Sequence, residues 1–410
     1  MRTRRNTHAQ SGLSDGLLPT HRSPITLDDL LAHLLWPKLL RSYRLAAAPG
    51  RLIMCLGLVL AAVVIDRVYT AIAGDNLPQG PIALLGQSFT PQLFQLLSSL
   101  FGLNVVNATL AARALYDLFL GVPLELLRAH WPAVVIVLPL LAAGLAITGG
   151  AVSRSVAYEV SLRATLPWRK AHRFAWSRTL GLVGVVVAPV AAVWIVAAVT
   201  ALVGRLIFDW RITAVAGGLA FFIFIAIALA LVLVMLLYVF AAPMLVPALA
   251  VEGSDAFDAT NRAFAYVLAK PGRYAVYALV SIAVALIALG VGFTILLATN
   301  QLAAALTNAP VPDTLQASST DRSHLRITLA SVALWSAAPW LLLVSYAISL
   351  FFTSGTLLFL LMRQLVDGQD IAELWVPEEP EPAPAPPVTT TSPAPAGPAP
   401  AVTDQPSTPQ

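Results

Sequence analysis

Cysteine is nearly absent: Cys55 alone in 410 residues excludes an intrachain disulfide, and it sits inside an apolar run. Charge is scarce too, with Asp, Glu, Lys and Arg at 11% of the chain against 58% apolar residues. Soluble domains carry about 25% charged residues, so this chain has too little polar surface to face water all round. Lipid is the solvent that such a composition implies. Sequence signatures of catalysis are also missing. The six histidines, at 8, 21, 33, 130, 172 and 324, have no HExxH spacing. GxSxG, a Gly-rich loop followed by Lys-Ser or Lys-Thr, and CxxC are all lacking. The expectation is therefore no catalytic residue, no cofactor, no metal and no enzyme activity. The small net charge of +4 lies mostly in loops and does not suggest nucleic acid as a partner.

What the chain does have is six apolar runs, near 52–73, 131–149, 180–203, 214–240, 275–298 and 340–361. The fold class they predict is all-α: a polytopic helical membrane protein of about six transmembrane helices, occupying 51–376. The central thirds of the second to sixth runs contain no Asp, Glu, Lys, Arg or His. That disfavours an ion-coupled carrier, because intramembrane charges usually mark such pathways. Hydroxyls remain in the last run, at Ser345, Ser349, Thr353 and Ser354.

Around these runs the chain divides further. Residues 1–25 read as a disordered basic N-terminus with Arg2, Arg4, Arg5 and Arg22. Thr26 with Asp29 makes a capping box, and Leu27, Leu30, Leu31, Leu34 and Leu35 recur at helical spacing. Lys38, Arg41 and Arg44 follow, so 26–48 reads as an amphipathic helix at a lipid interface. Segments 93–101 and 108–120 read as further amphipathic helices on the outer face. Gly149-Gly150 should end the second run, and Pro243 and Pro247 should kink or end the fourth. The block 327–361 exceeds one crossing, so a lead-in broken near Pro339 is expected. From 377 to 410 the chain holds twelve of its thirty prolines and reads as a disordered tail.

Eighteen of the 25 Arg and Lys fall on the N-terminus, the 151–178 and 252–274 intervals and the tail; seven fall opposite. The positive-inside rule then places both termini in the cytoplasm of a bacterial inner membrane. The interval 252–274 reads as a short cytoplasmic helix. Ser254 is its N-cap, Asp255 and Asp258 lie in its first turn, Phe257, Phe264 and Leu268 form its apolar face, and Pro271-Gly272 stops it. Spans two–three and four–five follow one plan, with Ala157-Tyr158-Glu159 echoed by Ala250-Val251-Glu252. Glu159 and Glu252 would then hold equivalent places, each able to pair with an arginine such as Arg154 or Arg262. Together with Asp255 and Asp258 these are the candidate residues for charge pairing or docking at the inner face.

Three stretches carry a family likeness: GGAVSRSVAYE (149–159), PALAVEGSDAFDATNRAFAYVLAKPGRYAVY (247–277) and LLMRQLVDGQDIAE (360–373). Over about 27–375 the chain resembles a family of uncharacterised polytopic membrane proteins typical of planctomycete-like bacteria. It is more distantly similar to membrane domains attached to some glycerophosphodiesterases. Family members carry serines where this chain has Ala263 and Ala265, so a polar role there does not carry over. The resemblance implies the membrane architecture and brings no activity, substrate or cofactor. The expected function is a non-enzymatic scaffold or accessory subunit, with membrane lipid and a protein at the cytoplasmic face as partners. The alternative is a permease-like carrier of an apolar or lipid-like molecule.

Overall fold

A computed structural model describes residues 37–73, 80–100, 105–308 and 322–375. Among these residues the structure is helical and has no strand. Six helices are long and apolar enough to cross a membrane. They are α3 (Pro49–Ala73), α7 (Leu138–Ser161, with a π-helical lead-in at Ala133–Val137), α9 (Thr179–Phe208), α11 (Phe221–Glu252), α13 (Pro271–Asn308) and α14 (Arg322–Asp367). The chain is thus a polytopic helical membrane protein. Two short N-terminal turns, α1 (Pro37–Leu40) and α2 (Ser42–Ala46), precede the first span. Between spans lie α4 (Pro81–Leu100), α5 (Val105–Tyr116), α6 (Val122–Ala129), α8 (Trp168–Ser177), α10 (Arg211–Leu219) and α12 (Ala256–Ala269).

Helix α3 begins, α7 ends, α9 begins, α11 ends, α13 begins and α14 ends at a common end, here called the basic end. Local chemistry sets these boundaries. Pro49 and Pro271 occupy the first helical position, where a missing N–H costs nothing. Asp255 caps α12 by accepting the Asp258 N–H at 2.8 Å. Gly253, at φ 65°, adopts the left-handed conformation that closes α11, and its N–H returns to the Leu249 carbonyl at 2.9 Å. At the far end of α3, the Asp66 carboxylate accepts the Ile82 N–H at 2.9 Å and so caps α4.

Burial concentrates in the halves of the helices nearest the basic end. The main cluster joins Ala146–Ala157 of α7, Ala241–Val251 of α11 and Leu357–Met362 of α14, with Leu182, Tyr266 and Tyr274. Small residues make this approach possible. A Cβ on Gly149 would overlap the Phe352 ring, and one on Gly150 the Leu182 methyls. A Cβ on Gly355 would overlap the Pro243 carbonyl itself. That carbonyl has lost its helical donor, because Pro247 carries no N–H. Toward the opposite end the helices expose Ile195, Leu202, Phe222, Leu286 and Ile287, apolar residues suited to lipid.

Several boundaries differ from the sequence expectations. Gly149-Gly150 does not end a helix; α7 runs on to Ser161, because the glycines serve contact with α14 and α9. Pro243 and Pro247 lie inside α11, and Pro339 lies inside a continuous α14. Each proline removes one backbone hydrogen bond, a loss that a long packed helix tolerates. The fourth span begins at Phe221, and the expected start at 214 falls in α10. The described part of 26–48 is not one helix but α1 and α2, packed on the middle of α14. Ser349 there donates to the Ala46 carbonyl at 2.8 Å and Tyr346 to the Tyr43 carbonyl at 3.1 Å. Residues 26–36, the 1–25 segment and the 377–410 tail lie outside the described residues.

Segments α4 and α5 do not rest on an outer surface. They form a hairpin whose Leu96, Ala114 and Leu115 pack with Val193 and Met235, near the midpoints of α9 and α11. A π-turn at Asp117–Gly121 joins α5 to α6. Pro123 cannot bond the Phe119 carbonyl four residues back, and the Trp194 indole of α9 supplies the donor instead at 2.9 Å.

The close contact at Gly355 yields a test. Gly355→Ala should cost about 1–3 kcal/mol, the range for overpacking. Gly57, with open space around it, should accept Ala with a change within about 0.5 kcal/mol. Thermal unfolding of the detergent-solubilised chain compares the two, and equal midpoints would refute the contact.

Candidate functional site

The basic end gathers most of the structure's ionic contacts, and they follow from how helices stop. The last carbonyls of an α-helix lack intrahelical donors and carry partial negative charge. Three such termini, those of α7, α11 and α14, converge here. A basic side chain at the start of the preceding span reaches a terminal carbonyl of α11 and of α14, and at α7 the equivalent Arg51 holds side chains of the last two turns. Arg51 of α3 is buried; it pairs with Glu159 and donates to Ser155 Oγ of α7 at 3.3 Å. It also donates to the Ser155 and Leu45 carbonyls. Arg178, just before α9, donates to the Gly253 carbonyl at the end of α11 at 2.9 Å. Lys270, just before α13, donates to the Leu365 carbonyl in the last turn of α14 at 2.7 Å. The open end of each membrane hairpin is thereby clasped.

Further contacts join the hairpins. Arg154 of α7 is buried, donates to the Ala250 carbonyl of α11 at 3.0 Å and lies between the Tyr158 and Phe174 rings, 4.9 and 4.8 Å from their centroids. Arg262 of α12 bridges Glu252 at 3.1 Å and Asp258 at 3.3 Å. Burial alone would weaken the charge of Arg262, but Glu252 and Asp258 outweigh it and raise its pKa. The buried Tyr266 phenol, also on α12, donates to the Asp367 carboxylate at the end of α14. Burial first, then that hydrogen bond, pushes its pKa up from the ordinary tyrosine value. Arg363 is buried beneath the turn after α14 and donates to the Asp370 and Glu373 carbonyls.

The candidate residues thus fall into three arrangements. Glu252, Asp258 and Arg262 come together. Glu159 joins Arg51 rather than Arg154, and Arg154 turns to a helix terminus. Asp255, not Ser254, is the N-cap of α12. Of the apolar face expected from Phe257, Phe264 and Leu268 with Val267 beside them, Phe264 packs against the core and Val267 is buried, but Phe257 and Leu268 are not. Ala259, Ala263, Tyr266 and Val267 face the core, while Phe257 and Leu268 are 75% and 66% exposed. Alanine at i, i+4 admits close approach, and Tyr266 and Val267 fill the core beside the alanines. Arg51, Arg178, Lys270, Arg363, Tyr266 and Asp367 were not foreseen from sequence. Their signal is position: Arg51, Arg178 and Lys270 each stand within two residues of the start of an apolar span.

Among the described residues, no group of three or more His, Cys, Asp or Glu could hold a metal ion. Four of the α14 hydroxyls bond to backbone, whereas the Thr353 hydroxyl is buried without a hydrogen-bond partner among the described residues. Ser345 and Thr356 donate to carbonyls one turn back, and Ser349 binds α2.

Fold and site together define a multi-pass membrane protein whose charged residues are used to close helix ends. No family model, no curated protein and no solved structure matches this chain.

The clasp between α3 and α7 can be tested by comparing single and double variants. Glu159→Ala strands the buried Arg51 guanidinium and should cost about 1–3 kcal/mol, below the fully buried range because the Glu159 side chain is 36% exposed. Arg51→Met with Glu159→Met should cost less than Glu159→Ala alone. Asp258→Ala, at an exposed pair, should stay within about 1 kcal/mol. Additive effects at 51 and 159 in thermal unfolding would rule the clasp out.

Proposed function

We propose that this chain is a non-enzymatic scaffold or accessory subunit of a bacterial inner membrane, with both termini in the cytoplasm. The observation that carries the reading is the use of the polar groups at the basic end. Arg154, Arg178, Lys270 and Arg363 serve helix ends and turns, and Arg51 is held by Glu159. Catalysis needs such groups to converge on a place where substrate can sit; here they converge on backbone. Transport of an ion needs charged or polar groups at membrane depth; here Ser345, Ser349, Ser354 and Thr356 of α14 bond to neighbouring backbone, leaving the buried Thr353 hydroxyl of α14 without a partner among the described residues. The excess of Arg and Lys at this end supports its cytoplasmic placement.

What this end offers outward is apolar side chains on a rigid platform. Phe257 and Leu268 project from α12, whose other face is anchored by Tyr266 and Arg262. A protein partner docks on such exposed anchors when a packed support fixes them.

Two measurements test this reading. Reporter fusions at residues 160 and 265 should read cytoplasmic; an external signal at either would overturn the orientation. Crosslinking and purification from native membranes should recover a protein with the wild type and lose at least tenfold of it with Phe257→Ser/Leu268→Ser. Recovery of no protein at all would count against a scaffold.

A further inference from the structure

We propose that α8 is a binding face for anionic lipid headgroups, seated between Trp168 and Trp176. The placement of this helix comes first. Trp168, its first residue, lies beside Gly50 at the start of α3: a Cβ on that glycine would touch the Trp168 Cβ at 3.7 Å. Its last residue, Ser177, is two positions before α9 begins. Both ends are thus held where membrane helices start, so α8 runs along the surface between two entry points.

Its two sides differ sharply. Ala171 and Ala175 are buried on the protein side, and the Phe174 ring lies against Arg154. Arg169, Lys170 and Arg173 are exposed, as is Arg163 in the preceding turn. No acidic residue occurs between 160 and 178. Arg163, Arg169, Lys170 and Arg173 form no ion pair among the described residues. Arg163 sits at φ 52°, a left-handed conformation uncommon for a side-chain-bearing residue.

The tryptophans select lipid as the occupant. Trp168 and Trp176 are exposed at the two ends of the helix, and Leu180, one turn further on at the start of α9, is 91% exposed. Indole rings favour the headgroup region, where one edge is wet and the other apolar. An α-helix of 30 residues such as α9 is about 45 Å long, enough to reach from one headgroup layer to the other. Four cations in a short stretch framed by such rings match the negative surface of a membrane rich in anionic lipid. The proposal rests on the cytoplasmic reading of this end only for which leaflet supplies the lipid.

The test uses the full chain in detergent, incubated with equal amounts of phosphatidylglycerol and phosphatidylcholine and read by native mass spectrometry of the retained lipids. The wild type should retain phosphatidylglycerol in preference. Arg169→Gln/Lys170→Gln/Arg173→Gln should lose that preference by about fivefold per residue and at least tenfold in total. Arg173→Gln alone should show the single-residue step, which guards against a folding defect in the triple variant. Arg128→Gln, an exposed cation on α6, should change nothing. No preference in the wild type, or an unchanged one in the triple variant, overturns the proposal. So does an acidic protein held by the wild type through these same residues without any lipid preference. Detergent presents no leaflet, so the result stands or falls separately from the orientation reporters and from the recovery of a protein partner.

Discussion

A carbonyl oxygen with no donor is the constraint around which this protein is built. In lipid there is no water to satisfy it, and each unmet group costs several kcal/mol. The basic end concentrates the problem, because three helix termini stop there side by side in a packed core. Arg178 and Lys270 answer it from the start of the neighbouring span, Arg154 adds a link from α7 to α11, and Arg51 ties α3 to α7 through Glu159. The same need appears at prolines. Trp194 serves the Phe119 carbonyl that Pro123 cannot bond.

This pattern changes how the chain's internal similarity is understood. The echo visible in sequence groups helices that are joined at the basic end: α7–α8–α9 and α11–α12–α13. Part of it has a structural counterpart, since α8 buries Ala171 and Ala175 as α12 buries Ala259 and Ala263. The two glutamates, however, look to different places: Glu159 to Arg51 on the preceding span, Glu252 to Arg262 on the following helix. What recurs three times is the other grouping, α3 with α7, α9 with α11 and α13 with α14, each clasped where its two helices are not connected.

Hydropathy made the six spans legible, because twenty apolar residues in a row have few alternatives. The sign of the loop charges was equally visible. The rest depended on partners that a single sequence does not reveal. Gly149-Gly150 resembles a helix stop until Phe352 and Leu182 are placed against it. Pro243 and Pro247 resemble breakers until α14 is seen to pack on them. On α12, Phe257 and Leu268 had the periodicity of a core face, yet Ala259, Ala263, Tyr266 and Val267 took the interior, with the Tyr266 ring packed on Phe359 of α14. Glu252 with Arg262 was within reach of a local reading, ten positions apart. Arg51 with Glu159 was not, since 108 positions separate them.

The clasps also share one order along the chain. Arg51 leaves the ribosome long before Ser155 exists, Arg178 before Gly253, and Lys270 before Leu365. In each pair the cation therefore precedes in the chain the oxygen that engages it.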